Sequence, residues 1–463
     1  MIALSEHRIV RIVVLCVLYV AQGIPFGFLT VTLAAALAAE GLSVGQIGRI
    51  FALGTIPWAF KWIWGPFVDR FGSARFGRRR PWILAAQTGM LLTLLGMWFI
   101  PDPTSQLALL GGLVVAHNVF SSLQDVCVDA LAVDLLPPQD RGKASGLMYG
   151  SKYFGTAIGG AGLTLLIDAL GGGLSTAFAG MIALIVLISL LPLLTVERPG
   201  QSLAPWSSPV RYERSSACGD CGYDLQSLPV DRCPECGRSI NAGATPDMEA
   251  SPRSLIDTLR ELGTAFSNRA AILTGVIALL VTTAGGMLAP ITAVLFVSEF
   301  GWSKTEYGAV TGGAAIFAGL LGSIGGGFLA DFLGARRVVA TASITLAIIL
   351  TVFGLQIDSI DGADRIVLWS YLIVEAALLG CLNAAFFAVC FAVCRPAVAA
   401  TQFTAFMALA NLGVTAAQAS AGRTEAAIGL TGIWLLGAGI QTLVVILVPL
   451  TNKTPNKNRL SDA

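Results

Sequence analysis

The amino-acid sequence predicts an all-α membrane protein, with twelve transmembrane helices in two pseudo-symmetric halves of six. Three observations predict it. Hydrophobic residues make up 55% of the 463-residue chain and charged residues only 12%, where a soluble domain carries about 25% charged residues. Apolar stretches near the ~20 residues needed to cross a bilayer recur throughout. One short pattern also occurs twice in the same orientation, about 260 residues apart. Its first copy reads G-P-F-V-D-R-F-G from Gly65 to Gly72 and runs on to Gly77, Arg78, Arg79 and Arg80. The second reads G-F-L-A-D-F-L-G-A-R-R from Gly327 to Arg337. Upstream of each lies a similar turn, Gly41-Leu42-Ser43 and Gly301-Trp302-Ser303, with Asp69 and Asp331 following those glycines by 28 and 30 residues. A repeat that returns in the same direction after half the chain is the plan of two parallel halves.

The spans of the first half fall at residues 10–35, 44–66, 81–100, 106–133, 144–167 and 174–195. Those of the second fall at 267–292, 304–330, 337–356, 366–393, 400–420 and 427–450. The halves therefore cover 1–197 and 263–451, with a polar linker at 198–262 and a tail at 452–463. The apolar run after Arg8 and Arg11 exceeds the core of a signal peptide, so it reads as an uncleaved first span. Basic residues gather in one set of loops: Arg70, Arg75 and Arg78 to Arg80, then Arg141 and Lys143, Arg336 and Arg337, Arg395, and the tail. The opposite loops carry mainly acids, among them Glu40, Asp102, Asp168, Glu299 and Asp358. Positive charge marks the cytoplasmic side, which places both termini and the linker there. A net charge of +1 with no basic surface gives no sign of nucleic-acid binding.

The linker is rich in Ser, Pro and Arg and holds a compact segment at 215–240. In it Cys218-x-x-Cys221 is followed, after eleven residues, by Cys233-x-x-Cys236. Each pair makes a tight turn that aims two thiolates at one point, as a closed four-cysteine zinc site requires. The chain's two histidines, His7 and His117, lie far from it, so the site is all-cysteine and structural. Two disulfides are the alternative, which a reducing cytoplasm disfavours. The segment resembles a small zinc ribbon, with C-G-Y-D-L and C-P-E-C-G as the matching pieces. Cys16, Cys127, Cys381, Cys390 and Cys394 lack ligand spacing and read as packing residues.

Ionisable groups inside spans are costly and face the bundle interior or a cavity. Span four carries the densest set: His117, Asn118, Ser121, Gln124, Asp125 and Asp129. Positions 117, 121, 125 and 129 step by four and drift only about 40° per step, forming one polar stripe. Span five brings Lys152 between Tyr149 and Tyr153. A short connection makes spans four and five antiparallel, with Asp125 and Lys152 each roughly 13 Å in. That depth suits an Asp125–Lys152 pair, while Asp129, a turn lower, is level with Lys61. In one reading an acid releases and rebinds a proton, and Lys152 sets its affinity or holds an anionic substrate. In the other, these groups are interhelical salt bridges that fix packing. Asp129 and Lys61 read as a gating or structural pair. Glu375 is the deep acid of the second half, with Asn383, Asn411 and Gln418 as further cavity candidates. Asp69 and Asp331, with Arg70, Arg78, Arg79, Arg336 and Arg337, form a cytoplasmic latch; the arginines enforce topology in any case.

The duplicated loop resembles the signature of the major facilitator superfamily over nearly the whole chain outside the cysteine segment. Three pieces resemble a narrower group, the AmpG-type permeases, which include muropeptide importers and acetyl-coenzyme A transporters. They are Gln22-Gly23-Ile24-Pro25, the run from Gly77 to Trp82, and Gln124-Asp125-Val126-Cys127-Val128-Asp129 through Asp140-Arg141-Gly142. The G-R-R-R-P piece also resembles sucrose–proton symporters. The resemblance implies the major facilitator fold, alternating access and proton-coupled uptake, with Asp125, Asp129 and Lys152 in the central machinery. The chain departs from the group in its cysteine segment and in its sparsely charged second half.

The expectation is a bacterial inner-membrane transporter that imports a small molecule, a cell-wall sugar–peptide fragment or related conjugate, on a proton gradient. Protons load on Asp125, relayed by His117. No enzyme is expected, because the cysteines leave no open metal position and no base lies near them. Three alternatives remain. They are a sugar–cation symporter, a facilitator without ion coupling, and a transporter-like sensor whose zinc module docks a cytoplasmic partner.

Overall fold

In a bilayer each backbone polar group must be satisfied within its own segment, so apolar runs this long fold as helices. A computed structural model describes residues 2–73, 75–137, 141–203, 263–264, 266–360, 364–394 and 399–451. The first part of the chain forms α1 (Arg8–Gly27), α2 (Ala34–Ala39), α3 (Val44–Ala59), α4 (Trp64–Arg70) and α5 (Arg80–Trp98). It continues with α6 (Leu107–Leu135), α7 (Arg141–Ala157), α8 (Leu163–Leu170) and α9 (Leu174–Leu194). The second part forms α10 (Arg269–Val281), α11 (Thr283–Val294), α12 (Lys304–Ala309) and α13 (Ala315–Leu329). It ends with α14 (Ala335–Gln356), α15 (Arg365–Val393) and α16 (Ala399–Leu447). Among the described residues, nine helical stretches are long and apolar enough to cross a membrane. Two of them, Lys304–Ser359 at 56 residues and Gln402–Thr451 at 50, exceed one crossing and are interrupted by glycines at positive φ. These are Gly334 (φ +91°) and Gly429 (φ +71°).

The repeated turns share their local structure. Gly41 (φ +77°) and Gly301 (φ +64°) are both left-handed, as a helix-ending glycine permits. The serine that follows each caps the next helix. The Ser43 backbone N–H donates to Gln46 Oε1 at 3.0 Å, and Ser303 Oγ accepts the Glu306 N–H at 3.0 Å. A second repeated device is a proline inside the first membrane-crossing stretch of each half, Pro25 in α1 and Pro290 in α11. Proline cannot donate to the carbonyl a turn earlier, and a wider π-type turn follows each, at Phe28–Leu33 and Leu295–Glu299.

The chain groups into two units, Met1–Leu33 with Phe60–Pro252, and Ala34–Ala59 with Arg253–Ala463. In the first, α1 packs along α7 at a backbone distance that only glycine allows. A Cβ on Gly23 would overlap the Lys152 carbonyl, and one on Gly155 would overlap the Val20 carbonyl. Gly27 and Gly159 repeat the arrangement a turn further on, the small-xxx-small pattern of membrane helix pairs. Helix α5 packs between α6 and α9. A two-residue parallel pairing, β1 (Ile2–Ala3) with β2 (Thr195–Val196), ties the start of the chain to the end of α9. In the second unit, α3 packs on α16, where Thr55 donates to Gln418 Oε1 at 2.9 Å and Asn411 Nδ2 donates to the Trp58 carbonyl at 3.2 Å.

Candidate functional site

The centre of the first unit is the polar stripe of α6. Asp125 is 3% exposed, and its Oδ2 lies 2.8 Å from Lys61 Nζ. Lys61 opens the short turn Lys61–Ile63 that links α3 to α4. The turn is held against α6 by Trp64, whose Nε1 donates to Ser122 Oγ at 3.1 Å. One helical turn along α6, Asp129 accepts a hydrogen bond from the Tyr19 hydroxyl of α1. Tyr149 of α7 stands edge-on to Tyr19, with ring centroids 5.9 Å apart. Lys152 lies within Coulombic reach of Asp125, Asp129 and Lys61. Gln124 Nε2 reaches the Leu18 carbonyl of α1 at 3.5 Å. Two carboxylates, two ammonium groups and two phenols thus converge from α1, the 61–63 turn, α6 and α7. Asp125 is buried within this group, whereas Asp129 and Tyr149 are exposed.

These pairings differ from the expectation of Asp125 with Lys152 and Asp129 with Lys61. Lys61 instead reaches Asp125, one turn deeper along α6. Its long stem covers the roughly 6 Å between successive turns of the facing helix. The tyrosine on Asp129 was not anticipated from sequence, since a lone Tyr19 in an apolar span reads as packing.

His117 lies eight residues from Asp125 on α6, and its Nδ1 is 3.0 Å from Thr93 Oγ1 of α5. In the second unit Glu375 lies within hydrogen-bonding reach of the Tyr371 hydroxyl, one turn away on α15. Tyr371 accepts from Trp434 Nε1 at 3.0 Å and stacks on Phe353, ring centroids 3.8 Å apart. Asn411 and Gln418 are occupied in the α3–α16 packing.

The residues of the expected latch separate into different roles. Arg79 is buried, with Nε 2.8 Å from Asp134 Oδ2 and Nη1 donating to the Val68 carbonyl at 3.1 Å. Arg78 and Arg70 are exposed, and Arg70 lies 5.8 Å over the Phe71 ring. Asp69 belongs to α4, and its side chain lies outside the described residues. Asp331 and Arg337 are exposed, while Arg336 Nε donates to Thr451 Oγ1 at 2.9 Å. Sequence reasoning missed Glu197. Its carboxylate accepts the backbone N–H groups of Arg78, Arg79 and Arg80 at 2.9, 2.7 and 2.6 Å. An acid just past the sixth span, beside an arginine-led helix start, was the available signal. Cys218, Cys221, Cys233 and Cys236 lie outside the described residues. Among the described residues no group of three or more His, Cys, Asp or Glu could hold a metal ion.

Chemically, the group can carry or exchange a proton. A buried carboxylate paired with a lysine at 2.8 Å is stable while both are charged. Protonating it breaks that pairing, and breaking a buried ion pair costs about 3–5 kcal/mol. Such a pair therefore has two discrete states.

Comparison with known proteins places the chain in a family. The family model described as Major Facilitator Superfamily matches residues 12–274. The chain is 24% identical to the anhydromuropeptide permease of Escherichia coli (strain K12), over 98% of this chain and 82% of that protein. It is 28% identical to the putative transporter AmpG 4 of Rickettsia felis, over 42% of this chain and 46% of that one. A crystal structure of a D-xylose–proton symporter matches with a TM-score of 0.68 at 12% identity, over 96% of this chain and 97% of that one. A crystal structure of the nucleoside transporter NupG matches with a TM-score of 0.62 at 13% identity, over 96% and 99%.

Proposed function

This chain belongs to the major facilitator superfamily, and from that premise we propose that it imports a cell-wall-derived muropeptide, or a related sugar conjugate, driven by a proton gradient. It is a multi-pass membrane transporter rather than an enzyme. The near full-length similarity to an anhydromuropeptide permease supports the cargo. The observation that carries the coupling is the Lys61–Asp125 pair at 2.8 Å, in which Asp125 is buried within a membrane-crossing helix, beside Asp129 and Lys152. Protonation of Asp125 would remove the carboxylate charge that faces Lys61 at 2.8 Å and shift the balance of charge in the group toward an anionic part of the cargo. Alternating access exposes the substrate site to one face of the membrane at a time.

The proposal includes twelve crossings. Its support is that two of the nine apolar stretches each contain an internal glycine break, and that α3 adds a shorter apolar helix. The loop charges support an inner-membrane orientation with both termini cytoplasmic. The proposal further includes a structural zinc ion on Cys218, Cys221, Cys233 and Cys236. Four thiolates in two C-x-x-C turns are a donor set that zinc prefers and that leaves no ligand position for chemistry. The zinc would fix the fold of that segment.

The test is uptake of a labelled anhydro-muropeptide into proteoliposomes, with and without an inward proton gradient. Accumulation that needs the gradient and is lost in Asp125→Asn supports both cargo and coupling. Folded protein without uptake of this label removes the cargo assignment.

A further inference from the structure

Five polar side chains of the first unit are almost wholly enclosed and yet carry polar atoms without a hydrogen-bond partner. Gln22 and Ser121 are 0% exposed, Gln124 0%, Gln87 1% and His117 2%. Among the described residues, both amide atoms of Gln22 and of Gln87, His117 Nε2, Ser121 Oγ and Gln124 Oε1 have no hydrogen-bond partner. Burying an amide or hydroxyl unsatisfied costs about 1–3 kcal/mol each. Seven such atoms in one region therefore point to a ligand rather than to chance.

Helix geometry places them in one layer. Helices α5 and α6 run antiparallel, since Thr93 meets His117 while a Cβ on Gly89 would strike the Phe120 ring. Gln87 lies six residues before Thr93, about 9 Å toward the end of α6 that holds Asp125. Ser121 and Gln124 lie about 6 and 10 Å along α6 in the same direction. On α1, Gln22 stands one turn beyond Leu18, whose carbonyl receives Gln124 Nε2. The layer thus occupies the interval between His117 and Asp125, which at eight residues is roughly 12 Å, too far for direct transfer.

The chemistry of the orphaned atoms selects the ligand. The Thr93 hydroxyl lies 2.9 and 2.8 Å from the carbonyls of Gly89 and Met90 and 3.0 Å from His117 Nδ1. With the imidazole hydrogen on Nδ1 the orphaned Nε2 accepts, and with it on Nε2 that atom donates. The set then holds two amide donors, three amide acceptors, a hydroxyl and a ring nitrogen. A metal cation would engage only the acceptors and leave the amide N–H groups of Gln22 and Gln87 unpaired. Water donates and accepts, and each buried molecule makes about three such bonds.

We propose that α1, α5 and α6 enclose an internal water-binding site, a file of two or more molecules that carries a proton between His117 and Asp125. A proton arriving at His117 Nε2 makes the imidazolium. The imidazolium then gives a proton to the adjacent water, each molecule passes one on, and the Asp125 carboxylate receives the last. The imidazole returns to neutral, the carboxyl is protonated, and no charge is left on the file. This role rests on the proton-driven reading above; the water site itself does not.

Two measurements test it. A high-resolution structure of the full chain is expected to show at least two ordered waters bonded to Gln22, Gln87, Ser121 or Gln124. A layer with these side chains paired to each other and no water would overturn the site. In proteoliposomes, the double variant Gln87→Leu, Ser121→Ala is expected to lower gradient-driven accumulation about tenfold more than it lowers substrate counterflow, which needs no net proton movement. An equal fall in both, in protein that melts like the parent, would overturn the relay. Failure of the parent protein to take up any cargo bears on the proposed function and leaves the water measurement standing.

Discussion

Glu197 and Arg80 cap each other's helices. The Glu197 carboxylate accepts the Arg80 backbone N–H at 2.6 Å, together with those of Arg78 and Arg79, and so closes the N-terminus of α5. Arg80 returns the arrangement at the C-terminus of α9, where its guanidinium donates to the Pro192 and Leu193 carbonyls. The same guanidinium donates to the carbonyls of Ser202 and Leu203 at 2.9 and 2.8 Å. An anion at a helix N-terminus and a cation at a C-terminus are each favoured by the helix dipole, and here both are buried.

Replacing Glu197 by Ala should leave three backbone donors without this acceptor. Bonds to a charged acceptor contribute about 1.5–3 kcal/mol each, so a loss on the order of 2–4 kcal/mol is expected after partial repair by solvent. The melting temperature of the detergent-solubilised protein should drop clearly for Glu197→Ala and less for Glu197→Gln. An unchanged melt would show that the carboxylate is dispensable. Arg80→Lys should also destabilise, because one ammonium cannot reproduce a fork that reaches four carbonyls.

Lys61→Met should remove the ammonium hydrogen-bonded to Asp125 at 2.8 Å and leave the more distant charge of Lys152. A buried carboxylate that loses its hydrogen-bonded cation is pushed toward its protonated form, so the site is biased to one of its two states. Gradient-driven uptake should fall more than about tenfold, with Lys61→Arg retaining part of it. Full gradient-driven uptake in Lys61→Met would reduce the pair to a packing bridge.

Tyr19→Phe should act only through Asp129. The hydroxyl donates to that carboxylate, and a hydrogen bond to a charged group contributes about 1.5–3 kcal/mol. In a double-mutant cycle on uptake, Tyr19→Phe added to Asp129→Asn should cost little beyond Asp129→Asn alone. Additive losses would place Tyr19 in a separate role.

The helical plan and the duplicated loops were legible because they rest on composition and spacing. Gly41 and Gly301 follow the same rule twice, since a left-handed turn needs a residue without Cβ. The polar stripe from His117 to Asp129 was legible for the same reason, as its step of four matches the helix. Partner choice was not. Depth along a helix is set by the 1.5 Å rise, but Lys61 carries a flexible stem longer than one turn, so it reached Asp125 instead of Asp129. Glu197 was illegible for another reason. Its partners are main-chain N–H groups of residues 117 to 119 positions away, and no side-chain pattern records them. The Gly23, Gly27, Gly155 and Gly159 contacts stand between these cases. Both four-residue spacings are visible in the sequence, yet only the packed helices show which pair faces which.

The cysteine segment separates a pure transporter from a transporter-like sensor. Purified protein should contain about one zinc per chain, since four thiolates fill one tetrahedral site. Cys218→Ser with Cys221→Ser should abolish it, and a strong chelator should remove it from the parent more slowly than a loosely held surface ion. Zinc-free parent protein with all four thiols titratable would remove the metal from the proposal. Deletion of residues 213–242 then asks what the segment does. The ion pair of Lys61 with Asp125 and the hydrogen bond of Tyr19 to Asp129 are made by residues outside that interval. The deletion variant should therefore keep gradient-driven uptake within about twofold of the parent. Uptake retained together with loss of a cellular phenotype would assign the segment to a cytoplasmic partner. Uptake lost in a folded variant would make the segment part of the transport cycle itself.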